Sequence, residues 1–154
     1  MWVVIVSMAW VTFSCDEFCE ESTRTAVVVN FFSLEDDAAA NVNVTIRGIE
    51  NDSVLYARTN HSQLLLPVNS AADFMSFSIN NANDTLSADT IIIRYNRHIG
   101  FISSECGCAI FAEIQGDPER TDNSIKNLVV TNRKVRTVSY RERIVNEENI
   151  RIYY

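Results

Sequence analysis

Short apolar segments separated by polar turns follow one another through residues 25–154, and they constrain the fold more than any other feature of the chain. Continuous apolar runs such as Thr25–Phe32 and Thr90–Tyr95 are typical of strands buried on both faces, whereas Val42–Arg47 alternates like a half-buried strand. About eight or nine such segments, with few helical signals, predict an all-β, antiparallel β-sandwich of the immunoglobulin-like or transthyretin-like kind. A closed barrel is the alternative. The segments include three further separate strands, with a bulge or a close backbone approach expected at the glycine that begins the last of them: Val54–Ala57, Ile99–Ser103 and Gly107–Ile114.

The beginning of the chain has the pattern of an export signal. Residues Trp2–Ser14 carry no charge and are mostly apolar, but they are too few for a membrane-spanning helix, which needs about 20 residues. The run ends with a small residue before Cys15, as in a bacterial lipobox, where the cysteine thiol is acylated and the peptide is cut just before it. We predict lipidation of Cys15; the alternative is a buried strand or helix that ends in a structural cysteine.

These patterns predict a signal peptide at residues 1–14, a lipid-anchored segment at 15–24 and a single β-sandwich domain at 25–154. The expected location is the cell envelope, at the outer membrane, on either its periplasmic face or the cell surface, with the membrane contacted through the lipid. The net charge of -7 disfavours nucleic acid as a partner, because phosphates would be repelled.

The cysteines predict a disulfide. If Cys15 carries lipid, Cys19, Cys106 and Cys108 remain. Disulfides persist in exported proteins, so we expect Cys19 to pair with Cys106 or Cys108. Residues two apart in a strand face the same side, so spacing alone does not choose between them. Cys-x-Cys is not the usual zinc spacing and neither histidine is close in sequence, so we predict no metal site.

Three Asp-Ser/Thr-aliphatic triplets begin at Asp52, Asp84 and Asp89. They resemble the O-glycosylation acceptor that Bacteroides-type bacteria use on exported proteins. The predicted acceptors are Ser53, Thr85 and Thr90. The alternative is that such triplets are simply common where a turn leads into a strand.

Nothing in the sequence indicates catalysis or a cofactor. No Gly-x-Ser-x-Gly, His-Glu-x-x-His or phosphate-binding glycine loop is present. Carboxylates are plentiful but occur in apparent loops, where solvation is their simpler role. We therefore predict no catalytic residues and a non-enzymatic binding or accessory module. The alternatives are an envelope hydrolase that uses loop carboxylates, or an assembly subunit that exchanges edge strands through Ile150–Tyr154.

Four stretches together resemble a known group of proteins: Cys15–Thr23, Leu65–Asn69, Ser103–Cys108 and Asn149–Tyr153. In that order they are similar to an uncharacterised family of small lipoproteins from Bacteroides-type bacteria, a domain of unknown function. The resemblance implies an exported, lipid-anchored, all-β protein with no known activity. We separately expect a protein or glycan partner, which the sequence does not identify. It also implies that Cys19–Cys106 is the shared bridge, because members often have an aromatic residue at the position of Cys108.

Overall fold

Strands make up the regular secondary structure of the part of the chain that the structure describes. The computed structural model describes residues 23–82, 87–103, 107–139 and 147–154. The strands are β1 Thr23–Phe32, β2 Val42–Gly48, β3 Val54–His61, β4 Gln63–Pro67, β5 Phe74–Asn81, β6 Asp89–Ser103, β7 Gly107–Ile114, β8 Glu119–Arg120, β9 Asn127–Val130, β10 Lys134–Val135, β11 Thr137–Ser139 and β12 Ile150–Tyr153. The predicted all-β fold is confirmed, with more strands than expected. The predicted signal peptide, residues 1–14, lies outside the described ranges, as do residues 15–22.

The strands form two packed sheets, which confirms the predicted sandwich. The larger sheet has the order β10-β7-β6-β5-β2-β3, with β8 paired to the first part of β6. The smaller sheet has the order β11-β1-β12-β9, with β4 along the other side of β1. Among the described strands, every pairing is antiparallel except that of β1 with β12, which is parallel. The sequence did not predict this parallel pair.

The core lies between the sheets, and β1 is buried on both of its faces as its apolar run predicted. Val27 and Phe31 point into the main core, while Ala26 and Val28 pack with Val138 on the opposite face. Full burial of one such valine or phenylalanine side chain stabilises a fold by about 1.5–3 kcal/mol. This burial agrees with the position of β1 inside the smaller sheet, where it has neighbours on both sides.

The prediction of two separate strands at Thr90–Tyr95 and Ile99–Ser103 was wrong. The structure has one continuous strand of 15 residues, β6. The polar residues Asn96–His98 interrupt the apolar pattern, but their backbone stays paired with β7. Backbone pairing does not require apolar side chains, so a polar stretch at the surface of a sheet can be mistaken for a turn.

Strands β10 and β11 lie almost end to end and pass from one sheet to the other. β10 pairs with β7 in the larger sheet and β11 pairs with β1 in the smaller sheet, both antiparallel. β1 and β7 therefore run in the same direction. Val135 stands opposite Ala112, and Thr137 stands opposite Thr25, so Thr25 is level with Ile110. The Thr25 hydroxyl donates a hydrogen bond to the Ile110 carbonyl oxygen, which joins the sheets at this edge.

The predicted backbone irregularity at Gly107 is confirmed. Gly107 has a φ of 66°, which a residue with a side chain rarely adopts. The register between β6 and β7 also shifts beside it, between Phe101 and Ser103. A Cβ at this position would meet no atom within 4 Å, so the backbone conformation and not a close approach explains the glycine.

Candidate functional site

A polar groove lies on the outer face of the larger sheet, where β2, β3 and β5 meet. Its volume is about 580 Å³. Thr45 stands opposite Asn80 and Arg47 stands opposite Ser78 in the register of β2 with β5. The lining residues are Thr45, Arg47, Arg58, Ser78, Asn80, Ala82 and Ala88. The core-facing residues of β2 and β5 alternate with these side chains, which fixes the polar ones on the outer surface.

A β-bulge in β3 brings Arg58 to this groove. Val44 pairs with Thr59, but Ile46 pairs with Tyr56, so two residues of β3 stand opposite one residue of β2. Arg58 is one of these two and has a φ of 44°. Its backbone N–H donates to the Thr45 hydroxyl at 3.2 Å, which holds the bulge in place.

The backbone of Arg58 is strained. A left-handed conformation costs a residue that carries a Cβ about 1–2 kcal/mol, and glycine is the usual residue there. Bulges redirect side chains and often lie beside functional sites. A strained backbone conformation persists only where the surrounding structure enforces it. Such an outlier is therefore a reason to examine the residue for a function.

The described lining residues of the groove include two arginines and no acidic residue, in a protein whose net charge is -7. Arg47 forms a salt bridge to Asp52 at 3.6 Å, and both side chains are largely exposed. Such a surface pair contributes about 0–1 kcal/mol, so a ligand can displace it. Within the described ranges no acidic side chain forms a salt bridge with Arg58. The two guanidinium groups and the neighbouring hydroxyl and amide groups suit a ligand that carries a carboxylate or a phosphate.

Among the residues that the structure describes, the side chains that line the groove include no carboxylate, histidine or cysteine. Two of the loop carboxylates considered in the hydrolase alternative lie elsewhere and have basic partners. Glu119 pairs with Arg94 at 3.1 Å, and Glu148 pairs with Arg151 at 2.6 Å. The described groove residues therefore offer hydrogen-bond donors that suit an acidic ligand.

The structure describes only some of the predicted site residues. Cys15, Cys19, Cys106 and Thr85 lie outside the described ranges. Cys108 is a free, exposed thiol that stands opposite Phe101 in the register of β6 with β7.

The two described acceptor candidates are both half-buried but differ in local structure. Ser53 lies in the connection between β2 and β3, where its hydroxyl donates to the Asn51 side-chain oxygen at 2.7 Å. Thr90 lies within β6, and its backbone pairs with β5 and with Thr121. Ser53 is thus the candidate whose backbone is not part of a strand.

The strand-exchange alternative required an unpaired strand at Ile150–Tyr154. In the structure, β12 lies between β1 and β9 and pairs with both. It therefore presents no free edge to a partner.

No helix in the described ranges has the length and apolar character needed to cross a membrane.

Sequence reasoning missed the groove because it missed the bulge. The sequence predicted a strand at Val54–Ala57, whereas β3 continues to His61 and contains Arg58. No glycine or proline marks the bulge, and an arginine in a polar stretch is usually an ordinary surface residue. The sequence contains no signal that would have placed this side chain beside Arg47.

The fold and the groove together define a β-sandwich domain with an arginine-lined polar groove on one outer sheet face. The family of unknown function DUF6452 matches residues 43–154, and the chain belongs to that family. The match begins in β2 and leaves out β1. It supports the resemblance to an uncharacterised domain noted in the sequence. No curated protein and no solved structure matches the chain.

Proposed function

We propose that the protein is a lipid-anchored, non-enzymatic binding module of the bacterial cell envelope, and that the groove between β2, β3 and β5 binds an acidic group of a glycan or protein partner. The observation that carries the binding role is Arg58, which a strained bulge places beside Arg47. A carboxylate or phosphate accepts two parallel hydrogen bonds from a guanidinium group. The hydroxyl and amide groups of the groove would bind the neutral part of the same ligand.

The binding role predicts a large effect of Arg58 on affinity. We expect Arg58→Ala to weaken the binding of an oligogalacturonate, which carries one carboxylate per sugar, by about tenfold or more, the loss of one charge-assisted hydrogen-bond pair. Arg94→Ala is the control, because it removes the same charge from the outer face of the same sheet. Isothermal titration calorimetry, with a neutral maltooligosaccharide as the second probe, measures both. Equal losses in the two variants, or no preference for the acidic probe, would contradict the proposal.

The strain at Arg58 gives a second, independent prediction. Arg58→Gly removes the side chain that the left-handed backbone disfavours, so we expect the free energy of unfolding to rise by about 1 kcal/mol. Affinity for the oligogalacturonate should fall in the same variant. Urea denaturation measures the stability. A variant that loses stability would mean that the arginine serves the fold and not a ligand.

The anchoring part of the proposal rests on the sequence before β1, where an uncharged apolar run ends at Cys15. Two or three acyl chains hold a protein firmly at a membrane, whereas one binds only marginally. We expect the intact mass of the membrane-extracted protein to equal residues 15–154 plus acyl chains, together with any sugar at Ser53, Thr85 or Thr90. Cys15→Ala should abolish the acylation, while Cys108→Ala should retain it. A mass equal to the uncut, unmodified chain would remove the anchoring proposal.

A disulfide from Cys19 to the β6–β7 hairpin belongs to the same proposal. Thr25 is level with Ile110, and β1 and β7 run in the same direction, so the residues before each lead toward the same end of the sandwich. Cys19 precedes Thr25 by 25 − 19 = 6 residues, and Cys106 precedes Ile110 by 110 − 106 = 4 residues.

We expect the bridge to join Cys19 and Cys106 and to leave Cys108 free. Alkylation before and after reduction, followed by intact mass, counts the paired thiols. The pair should survive in Cys108→Ala and disappear in Cys106→Ala. The opposite result would assign the bridge to Cys108, and three alkylated thiols in the unreduced, acylated protein would exclude a bridge.

A further inference from the structure

A second groove, the edge groove, lies where β6, β7 and β10 meet, and its volume is about 330 Å³. Its lining includes His98 of β6, Phe111 and Glu113 of β7, Lys134 of β10 and Arg136, which follows β10. The strand order places it at the β10 edge of the larger sheet, whereas the first groove lies at the β3 edge. The two grooves are therefore separate.

Phe111 and His98 give the edge groove an aromatic side. They stand opposite each other in the register of β6 with β7, and their rings stack with centroids 5.6 Å apart and planes 18° apart. Successive side chains of a strand alternate between its faces, and Ala112 and Ile114 are buried in the core. Phe111 therefore points to the outer face, where it is half-buried and His98 is exposed.

Gly100 makes room for the ring of Phe111. A Cβ at position 100 would lie 2.5 Å from Cε2 and 2.6 Å from Cδ2 of that ring. Glycine weakens the interior of a strand, and it often marks a place where another group approaches the backbone closely. The ring of Phe111 therefore lies directly against the backbone of β6.

Two basic side chains line the β10 side of the edge groove. Lys134 and Arg136 are exposed and lie on either side of the buried Val135, so they share the outer face. Glu113 stands opposite Lys134, but no salt bridge joins them in the described part of the chain. Arg136 pairs with Glu147 at 3.6 Å at the surface. Such a pair contributes about 0–1 kcal/mol, so an anionic ligand can displace it.

We propose that the edge groove binds a small aromatic carboxylate, whose ring packs against Phe111 and His98 and whose carboxylate accepts hydrogen bonds from Arg136. Aromatic rings attract one another at centroid separations of about 4.5–7 Å, the spacing that the two rings already have. A guanidinium group donates two parallel hydrogen bonds to a carboxylate, and Lys134 adds a second positive charge.

The size of the edge groove favours a ligand with one ring. Sites for small molecules usually have volumes of about 300–1,000 Å³, and 330 Å³ is near the lower limit. A single ring with a short acidic group suits this volume better than a chain of sugars. The inference does not depend on the first groove, and Arg58→Ala should leave the edge groove unchanged.

Titration of the isotope-labelled protein with phenylacetate, followed by NMR, tests the proposal. We expect the amide signals of His98, Phe111 and Arg136 to shift, and Arg136→Gln to raise Kd by about tenfold, the loss of one charge-assisted hydrogen-bond pair. Arg94→Gln is the matched control, because Arg94 is also an exposed arginine on the outer face of this sheet. Its Kd should stay within about twofold of that of the unchanged protein.

Two further probes separate the contribution of the ring from that of the charge. Cyclohexylacetate keeps the carboxylate but has no aromatic ring, and phenethylamine keeps the ring but carries a positive charge. We expect both to bind at least about threefold more weakly than phenylacetate, and Phe111→Leu to remove the preference over cyclohexylacetate. Any of three results would overturn the proposal: no saturable shift, equal affinity for phenylacetate and cyclohexylacetate, or equal losses in Arg136→Gln and Arg94→Gln.

Discussion

Replacing Asp89 with alanine is expected to lower the free energy of unfolding by about 3–5 kcal/mol, because three backbone N–H groups, two of them buried, lose their acceptor. Asp89 is 1% exposed. One carboxylate oxygen accepts from the Thr121 hydroxyl at 3.0 Å and the Asn123 N–H at 2.8 Å. The other accepts from the N–H groups of Ser124 at 2.8 Å and Ile125 at 2.9 Å. One side chain therefore fixes the whole turn before β9.

Urea denaturation at neutral pH measures this effect. Thr121→Val is the matched control, because it removes only the hydroxyl, which donates to Asp89 and accepts from the Thr90 N–H, and it should cost about 1–2 kcal/mol. Asp89→Asn should fall between the two, since the amide keeps one acceptor oxygen. A loss below about 1 kcal/mol in Asp89→Ala would mean that water replaces the carboxylate at no cost. Asp89 also begins the triplet that contains Thr90, so a structural role suffices to explain this aspartate.

Replacing Asn149 with aspartate is expected to lower the free energy of unfolding by at least about 3 kcal/mol, and by more than replacement with alanine. Asn149 is 1% exposed. Its side-chain oxygen accepts from the Val28 N–H at 3.0 Å, and its amide nitrogen donates to the carbonyl oxygens of Asn132 at 3.0 Å and Lys134 at 2.9 Å. An aspartate would turn a negative oxygen toward two carbonyl oxygens in a buried site.

The order of the two Asn149 variants is the informative measurement. Alanine leaves the Val28 N–H without an acceptor, whereas aspartate adds repulsion and the desolvation of a charge. Asn127→Asp is the matched control, because Asn127 is exposed on β9 and the same change there should stay within about 0.5 kcal/mol. If the alanine variant were the less stable, packing and not hydrogen bonding would be the main role of Asn149.

The sequence predicted those parts of the fold that depend on local apolar patterns. The double-sided burial of Thr25–Phe32 follows from its valines, and β2 and β7 begin at the predicted residues, Val42 and Gly107. Sequence reasoning failed for features that depend on pairing between segments far apart in the chain. The polar residues Asn96–His98 are held in β6 by pairing with β7, which no local pattern reveals. The parallel pairing of β1 with β12 likewise depends on which distant strands become neighbours, and no local pattern predicts that choice.

The candidate groove was beyond sequence reasoning for the same reason. Candidate modification sites such as Cys15 and Ser53 are recognised from the residues next to them in sequence, so a short motif is enough to propose them. Arg47 and Arg58 come together only because a register shift adds one residue to β3. Neither the shift nor the left-handed backbone of Arg58 has a local cause in the residues around it.

The parallel pairing of β1 with β12 has a consequence for biosynthesis. Val29–Phe32 cannot pair with its parallel neighbour until Ile150–Tyr153 has left the ribosome. At about 5–20 residues per second, that delay is on the order of ten seconds. The nascent chain therefore remains without its completed smaller sheet throughout that time, which is the incompletely folded condition that the export proposed above would require.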